Sequence, residues 1–395
     1  MKSLLKVAPK TVTNRLLAMK FAGEFILIYP LYVIMFGDRG GLSAGQISFI
    51  VASGFVLSVA LEIPTGVIAD KWPRKYVLMS ALISKIAALS AWLLFPGFVG
   101  YFVGASLFAL CAALESGALQ AYLYGTLGTE HQKSFGKFWA RVSAMVVLSY
   151  TIAYVCTAFI GVRYPLLITL SALACGVALM LCLSLPKDTI IRPIEGNTRV
   201  VRAAFRHILQ TQALLRLLLG VLVIVAVSEV TIEYLPLYAN QAGVETRAVP
   251  LLLAAGNIVG AALFWTLHSW EKRLEKYLIS WALLVLGLFI ASWQFGIAGI
   301  AVGIIIFSRF MRVLQVHSES KIQHLSSDEA RATISSIASF GSKLLAAGIV
   351  ALIGATASGS KIIMPYRTAL VAGTAVFILV LLLRSRRRSQ NDYAK

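Results

Sequence analysis

The chain has few charged residues, because Asp, Glu, Lys and Arg together make up 13% of its 395 residues, whereas 58% are hydrophobic. Soluble domains carry about 25% charged residues. This shortage excludes an ordinary soluble protein and predicts an integral membrane protein. A formal net charge of +19 at pH 7 does not alter that conclusion. Nucleic-acid binding needs a basic face on a soluble domain, and here the cations lie in loops between apolar runs.

Motifs for catalysis and metal binding are also missing. The chain contains no Gly-x-x-x-x-Gly-Lys-Ser/Thr loop, so we do not expect ATP to drive it. Its five histidines have no His-Glu-x-x-His spacing, and its four cysteines have no Cys-x-x-Cys spacing. We therefore predict no enzyme activity, no metal and no cofactor.

Long apolar runs dominate what is present. Twelve runs, each about the 20 residues that a membrane-spanning helix needs, are bounded by charge or by Gly, Pro and Asn. The first, from about Leu16 to Phe36, is expected to form one retained helix. An even count places both termini on one side of the membrane. Most of the 36 Lys and Arg residues fall in the termini and alternate loops, so that side is cytoplasmic. The predicted fold is an all-α integral membrane protein with 12 transmembrane helices, multi-pass in the cell inner membrane.

The loop between the second and third runs holds a dense group of charge and turn residues. Gly66, Asp70, Lys71, Arg74 and Lys75 fall in register with the signature G-x-x-x-D-[RK]-x-[GP]-[RK]-[RK]. In this loop the chain resembles major facilitator transporters. The resemblance implies two six-helix bundles that move against each other during alternating access.

The longest polar stretch supports that division, because it follows the sixth run. We expect an N-terminal bundle at residues 1–185, a cytoplasmic linker at 186–212, a C-terminal bundle at 213–384 and a basic cytoplasmic tail at 385–395. Within the linker, Arg199, Arg202 and Arg206 recur at helical spacing. A surface amphipathic helix and a solvated linker helix both fit this pattern.

The resemblance also implies a latch at the inner membrane face. In the family the signature acid meets the N-terminal end of span eleven, and a helix N-terminus attracts anions. Here that span begins at Ser326 and includes Arg331. We predict an inner latch that holds the outward-open state; its residues are Gly66, which we expect to permit close helix approach, Asp70, Arg74, Lys75 and Arg331.

Ionisable residues inside the spans are the candidates for chemistry, since each costs about 2.5–3.5 kcal/mol to insert. Glu24, Glu115, Glu229, Glu233 and Arg309 fall on spans one, four, seven and ten, which line the central cavity in the resembled fold. We predict that they bind substrate or protons. Glu229 and Glu233 are four residues apart and share a helix face, which brings two like charges together. The alternative for each acid is a structural hydrogen bond to a neighbouring helix.

Two lysines also fall inside spans. Lys85 lies on a span that is peripheral in the resembled fold, so we expect it to pair with an acid or to reach the membrane surface. Lys343 is a candidate to neutralise an acid in the cavity. Its partner cannot be identified from the sequence.

The leading functional prediction is proton-coupled efflux of a small apolar or cationic compound by a monomer, with the proton gradient as energy source. Span four supports export, because the stretch from Ala113 to Leu127 resembles bacterial facilitator proteins often described as drug or metabolite exporters. Uptake of a nutrient or metabolite by proton symport is the alternative, and a membrane sensor or scaffold is a third possibility. The expected partners are a small-molecule substrate and the lipid bilayer, without nucleic acid.

Overall fold

A computed structural model of the chain describes residues 9–131, 135–187, 212–325 and 328–392. Within these ranges the regular structure is helical, as predicted, and the 3₁₀ turn Ser292–Gln294 joins two of the helices. The α-helices are α1 (Pro9–Glu24), α2 (Tyr32–Asp38), α3 (Ala44–Lys71), α4 (Arg74–Leu94), α5 (Phe98–His131), α6 (Phe135–Ile160), α7 (Tyr164–Leu183), α8 (Gln212–Gln241), α9 (Val249–Lys276), α10 (Leu278–Ala291), α11 (Gly296–Leu325), α12 (Asp328–Thr356) and α13 (Ile363–Asp392).

Several of these helices have the length and composition of membrane spans. Among the described residues, 9 helical segments, on α3 to α8 and α11 to α13, are long and apolar enough to cross a membrane. Shorter apolar segments, Val249–Leu263 and Leu278–Gln294, lie on α9 and α10. The all-α membrane class is therefore confirmed, whereas the count of twelve spans and the cytoplasmic termini stay predictions. Most of the predicted linker, including Arg199, Arg202 and Arg206, lies outside the described residues.

The chain forms two compact units. The first unit contains Met1–Leu42, Ser53–Ile194 and Thr246–Ala254, and the second contains Ser43–Ala52, Glu195–Glu245 and Ala255–Lys395. The start of α3 therefore packs within the second unit, where the hydroxyl of Tyr234 donates to Ser48 Oγ at 2.6 Å. The start of α9 packs within the first unit, and Arg247 Nε just before it donates to the carbonyl of Ala158 at 3.0 Å.

The predicted first span is not one continuous helix. α1 ends at Glu24 and α2 begins at Tyr32, with turns between them. Pro30 explains the break, because a proline has no N–H to donate and its ring clashes with the carbonyl four residues earlier. Proline also disfavours the helical conformation at the residue before it. The expectation of an unbroken first helix was therefore wrong.

Side chains of neighbouring helices bind the carbonyl groups that the break frees. On α6, Ser149 Oγ donates to the carbonyl of Phe21 at 2.6 Å, and Thr157 Oγ1 donates to the carbonyl of Leu27 at 2.7 Å. On α4, Lys85 Nζ donates to the carbonyl of Gly23 at 3.0 Å. An unsatisfied carbonyl in a bilayer costs several kcal/mol, so these donors stabilise the broken conformation.

Another helix end, that of α7, is held by a cation of the signature loop. Lys75 Nζ donates to the carbonyls of Leu183 and Leu185 at 2.7 and 2.6 Å. The last carbonyls of a helix have no partner within the helix, and their partial negative charge favours a cation. Lys75 therefore fixes the start of α4 against the end of α7.

Close packing in the first unit depends on a glycine. α4 and α5 pack along much of their length, and Trp92 of α4 is buried between them. A Cβ added to Gly104 of α5 would lie 2.2 Å from Trp92 Nε1, which donates to the carbonyl of Tyr101 at 3.2 Å. Only glycine leaves room for the indole at this position.

We expect Gly104→Ala to lower the melting temperature of the purified protein, because the new methyl group overlaps Trp92. Overpacking of this kind costs about 1–3 kcal/mol. Gly117→Ala on the same helix is the matched control, since a Cβ there meets no described atom within 4 Å. Thermal unfolding in detergent measures both, and equal melting temperatures for the two variants would contradict the packing described.

We expect Lys75→Met to destabilise the first unit, because two carbonyls at the end of α7 lose a charged donor. Hydrogen bonds to charged groups contribute about 1.5–3 kcal/mol each. Lys71→Met, at an exposed residue, is the control and should leave the melting temperature nearly unchanged. If both variants unfold at the wild-type temperature, Lys75 does not hold these helices together.

Candidate functional site

A buried ionic cluster lies beside the break in the first span. Glu24 is the last residue of α1 and is 6% exposed. Its Oε1 accepts from Lys20 Nζ at 2.7 Å and from Lys85 Nζ at 3.2 Å, and its Oε2 accepts from the Tyr150 hydroxyl at 2.6 Å. Three donors, two of them charged, therefore stabilise the ionised form of this carboxylate.

One ammonium group is shared between two carboxylates. Lys20 lies one turn before Glu24 on α1, and its Nζ also donates to Oε1 of Glu115 on α5. The side chain of Glu115 is 19% exposed, compared with 8% for Glu24. Glu115 is thus the more accessible of the two acids and Lys20 is its hydrogen-bonding partner in the part of the chain that is described. With Lys85, the cluster holds two positive and two negative charges.

A small cleft opens beside this cluster. Its interior volume is about 10 Å³, room for about one water molecule. Besides the four charged side chains, it is lined by the apolar residues Met19, Leu78 and Leu82 and by Gly23. The cleft brings charged groups and apolar walls together, and in this conformation it is nearly closed.

Aromatic rings cover the cluster on the side of the helix break. Tyr29 packs against Phe108 and Tyr150, with ring centroids 5.7 and 5.9 Å apart. Tyr32 stacks on Trp92 at 5.6 Å. These rings keep the local dielectric low, so that charge interactions within the cluster are stronger than they would be in water.

The second unit holds its own set of opposite charges. Glu229 on α8 is half-buried, and the cations that act on it are Arg312 on α11 and Lys343 on α12. The like charge that acts on it most strongly belongs to Glu319 on α11. The predicted pairing of like charges at Glu229 and Glu233, one turn along α8, stays a prediction. Glu229 is an electrostatic partner for Lys343 that the sequence did not identify.

The structure places Arg309 against a neighbouring helix of the second unit. Its Nη1 donates to Oδ1 of Asn257 on α9 at 3.3 Å. A Cβ added to Gly256 or Gly260 would lie 3.3 or 3.0 Å from the arginine side chain. The two glycines therefore make room for Arg309 on the face of α9. Glu233 is half-buried near the middle of α8.

The predicted latch is only partly described. Asp70 lies in the last turn of α3 and Arg331 in the first turn of α12, and both side chains fall outside the described part of the chain. Arg74 Nη1 donates to the carbonyl of Ala121 at 3.4 Å, and Lys75 binds the end of α7. A Cβ at Gly66 meets no described atom within 4 Å, so the close helix approach expected there is not present among these residues. The latch stays a prediction.

The sequence analysis did not propose Lys20, Tyr150, Arg312 or Glu319 as site residues. Lys20 had a usable signal, because it precedes Glu24 by four residues. Arg312 and Glu319 had one too, because their spacing with Gln315 places all three on one helix face. In the structure Arg312 donates to Gln315 at 2.8 Å and Gln315 donates to Glu319 at 2.9 Å. Tyr150 had no such signal, because it lies 126 positions from Glu24 in the sequence and only the fold brings the two together.

Known structures share this fold at low sequence identity. The chain is similar to the nucleoside transporter NupG (TM-score 0.72, 12% identity, 95% of this chain and 98% of that chain). It is also similar to a bacterial homolog of the human lysosomal transporter Spinster (TM-score 0.72, 16% identity, 96% of each chain) and to a D-xylose-proton symporter (TM-score 0.68, 13% identity, 94% of this chain and 97% of that chain). At these identities the likeness shows the fold alone.

A search of curated protein sequences gave no match. A comparison with models of protein families, in contrast, identifies the family. The family model described as Major Facilitator Superfamily matches residues 16–351, which is most of the chain. The match confirms the resemblance seen at residues 66–75, and this multi-pass membrane protein, a transporter and not an enzyme, belongs to the Major Facilitator Superfamily.

Proposed function

We propose that the chain is a proton-coupled secondary transporter that works as a monomer in the cell inner membrane, with the proton gradient as its energy source. The observation that supports this is the shared ammonium of Lys20, which ties an accessible carboxylate, Glu115, to a buried one, Glu24. One of the similar solved structures is a D-xylose-proton symporter, so the fold accommodates proton coupling.

Glu115 is the proposed proton carrier. Protonation of Glu24 would weaken its hydrogen bonds with two lysines and a tyrosine at once, in a site with little access to water. Protonation of Glu115 weakens one ion pair, at a side chain that borders the cleft. The energetic cost of taking up a proton is therefore lower at Glu115. Glu24 is proposed to hold the site together, with Lys85.

Two directions of transport follow from different observations. The likeness of span four to exporters supports efflux of a small apolar or cationic compound. The cluster itself supports uptake by proton symport. A cation entering the cleft would meet two lysines, and each carboxylate there already has a cationic partner. We propose symport as the function that this geometry supports best.

Glu115→Gln is expected to abolish proton coupling, because an amide cannot carry the proton. In liposomes with a pH-sensitive dye inside, adding a transported compound outside should acidify the lumen with the wild type and leave it unchanged with Glu115→Gln. Exchange of labelled for unlabelled compound, which needs no net proton movement, should persist. Glu245→Gln, at an exposed residue outside the spans, is the control.

The same assay separates the candidate functions. Acidification of the lumen on addition of the compound indicates symport, and alkalinisation indicates exchange against protons. The proposal is wrong if no compound of a charge-matched panel moves protons, or if Glu115→Gln keeps full coupling.

We expect Glu24→Gln to lower the melting temperature, because Lys20 and Lys85 would lose a shared ionised acceptor in a buried site. Removing one partner of a buried ion pair costs about 3–5 kcal/mol. Thermal unfolding in detergent measures the change. Glu115→Gln is the comparison, because in that variant Lys20 still has Glu24 as an ionised acceptor. A larger loss of stability for Glu115→Gln than for Glu24→Gln would contradict these roles.

A further inference from the structure

The ionic cluster also indicates the chemical class of the substrate, an inference that rests on the proposed proton coupling. We infer that the substrate is an anion, and that the Lys20 ammonium binds its carboxylate, phosphate or sulfate group once Glu115 has taken up a proton. Lys20 is then the residue through which the proton and the substrate are coupled.

The balance of charge in the cluster favours an anionic substrate. With Glu24 and Glu115 ionised, the four charged side chains of the cluster sum to zero. A proton on Glu115 together with a bound anion restores that sum. A bound cation, or a proton alone, leaves one net positive charge in a site surrounded by aromatic rings. Uncompensated charge is expensive in such surroundings, so anion symport is the exchange that keeps the loaded and the empty site neutral.

Of the two lysines in the cluster, Lys20 is the one that is available to bind an anion. Lys85 is 4% exposed and binds both the carbonyl of Gly23 and the carboxylate of Glu24, so releasing it would undo the helix break. Lys20 has two carboxylate partners and makes no contact with the broken backbone among the residues described. When Glu115 is neutral, Lys20 keeps Glu24 and can take a second anion in place of Glu115.

Lys20 also has the position that this role needs. Lys20, Glu24, Lys85 and Glu115 all line the cleft, which has room for about one water molecule, so an anionic group reaches Lys20 when Glu115 moves away from it. The apolar side chains of Met19, Leu78 and Leu82 complete the lining.

The protonation of Glu115 depends on groups from every helix that packs around it. The titratable and charged side chains that act on it are Lys20 on α1, Lys85 on α4, Cys111 on its own helix and Cys175 on α7, and Tyr150 on α6 acts through Glu24. Lys20 contacts Glu115 directly, so we expect its removal to change substrate binding and proton coupling together.

Matched compounds that differ only in charge test the inference. The full-length protein in liposomes is offered glucuronate, glucose 6-phosphate, glucose and glucosamine, with lumenal pH as the readout and protein-free liposomes as the control. We expect proton-linked uptake of a carboxylate or phosphate compound. Proton-linked flux carried only by neutral or ammonium compounds would overturn the inference and leave proton coupling standing. No flux with any compound would overturn the proposed function itself.

Variants of the two coupled residues give a second, independent readout. The anion that shows proton-linked uptake is then used in equilibrium binding. Its binding should weaken about tenfold or more in Lys20→Gln, since a charge-assisted hydrogen bond is lost, and should be largely retained in Lys20→Arg. Lys361→Gln, at an exposed lysine, is the control.

Glu115→Gln should bind the anion at pH 8 as tightly as the wild type does at acidic pH, because Lys20 is permanently released. Misfolding cannot produce such a gain. Unchanged affinity in Lys20→Gln, or wild-type pH dependence in Glu115→Gln, would overturn the assignment of Lys20.

Discussion

A helix that breaks inside a bilayer must satisfy the carbonyl groups it frees, because no water is present to do so. In this chain Pro30 interrupts the first span, and the side chains that satisfy the break come from α4 and α6. Lys85 is the charged one among them, and it requires a buried counter-charge. Glu24, at the end of α1, supplies that counter-charge. The break, the lysine and the acid therefore depend on one another, and the position of Lys20 follows from theirs.

Because Lys85 already balances the charge of Glu24, the interaction between Lys20 and Glu115 can change when a proton or a ligand binds. Lys20 lies between an acid that is buried and saturated with donors and one that borders a cleft. A small change at Glu115, the arrival of a proton, then alters what Lys20 can bind. The second unit contains a comparable balanced set, Glu229 and Glu319 with Arg312 and Lys343. Among the residues described, each unit thus holds one compensated group of ionisable side chains, as expected for charges inside a membrane.

Much of the fold was predictable because composition and hydrophobic runs act along the chain. The shortage of charge predicted the membrane class, and the signature from Gly66 to Lys75 predicted the family. The acids Glu24 and Glu115 were found because any acid in an apolar run is conspicuous. Pro30 was visible in the sequence, but its effect on the first helix was not considered, and the break was missed. What could not be predicted is pairing across helices. Lys20 meets Glu115 from 95 positions away, and Tyr150 meets Glu24 from 126 positions away. The contact of Lys75 with the end of α7 was missed for the same reason, because the two are far apart in the sequence.

The central claim is that protonation of Glu115 acts on the substrate through Lys20, and a double-mutant cycle tests it most directly. Anion affinity at pH 8 is measured for the wild type, Lys20→Gln, Glu115→Gln and the double variant in the same membranes. The account predicts that the double variant binds as weakly as Lys20→Gln, because the gain from a neutral Glu115 requires the released ammonium. If the double variant kept the tighter binding of Glu115→Gln, the anion would be bound by another group and the claim would be wrong.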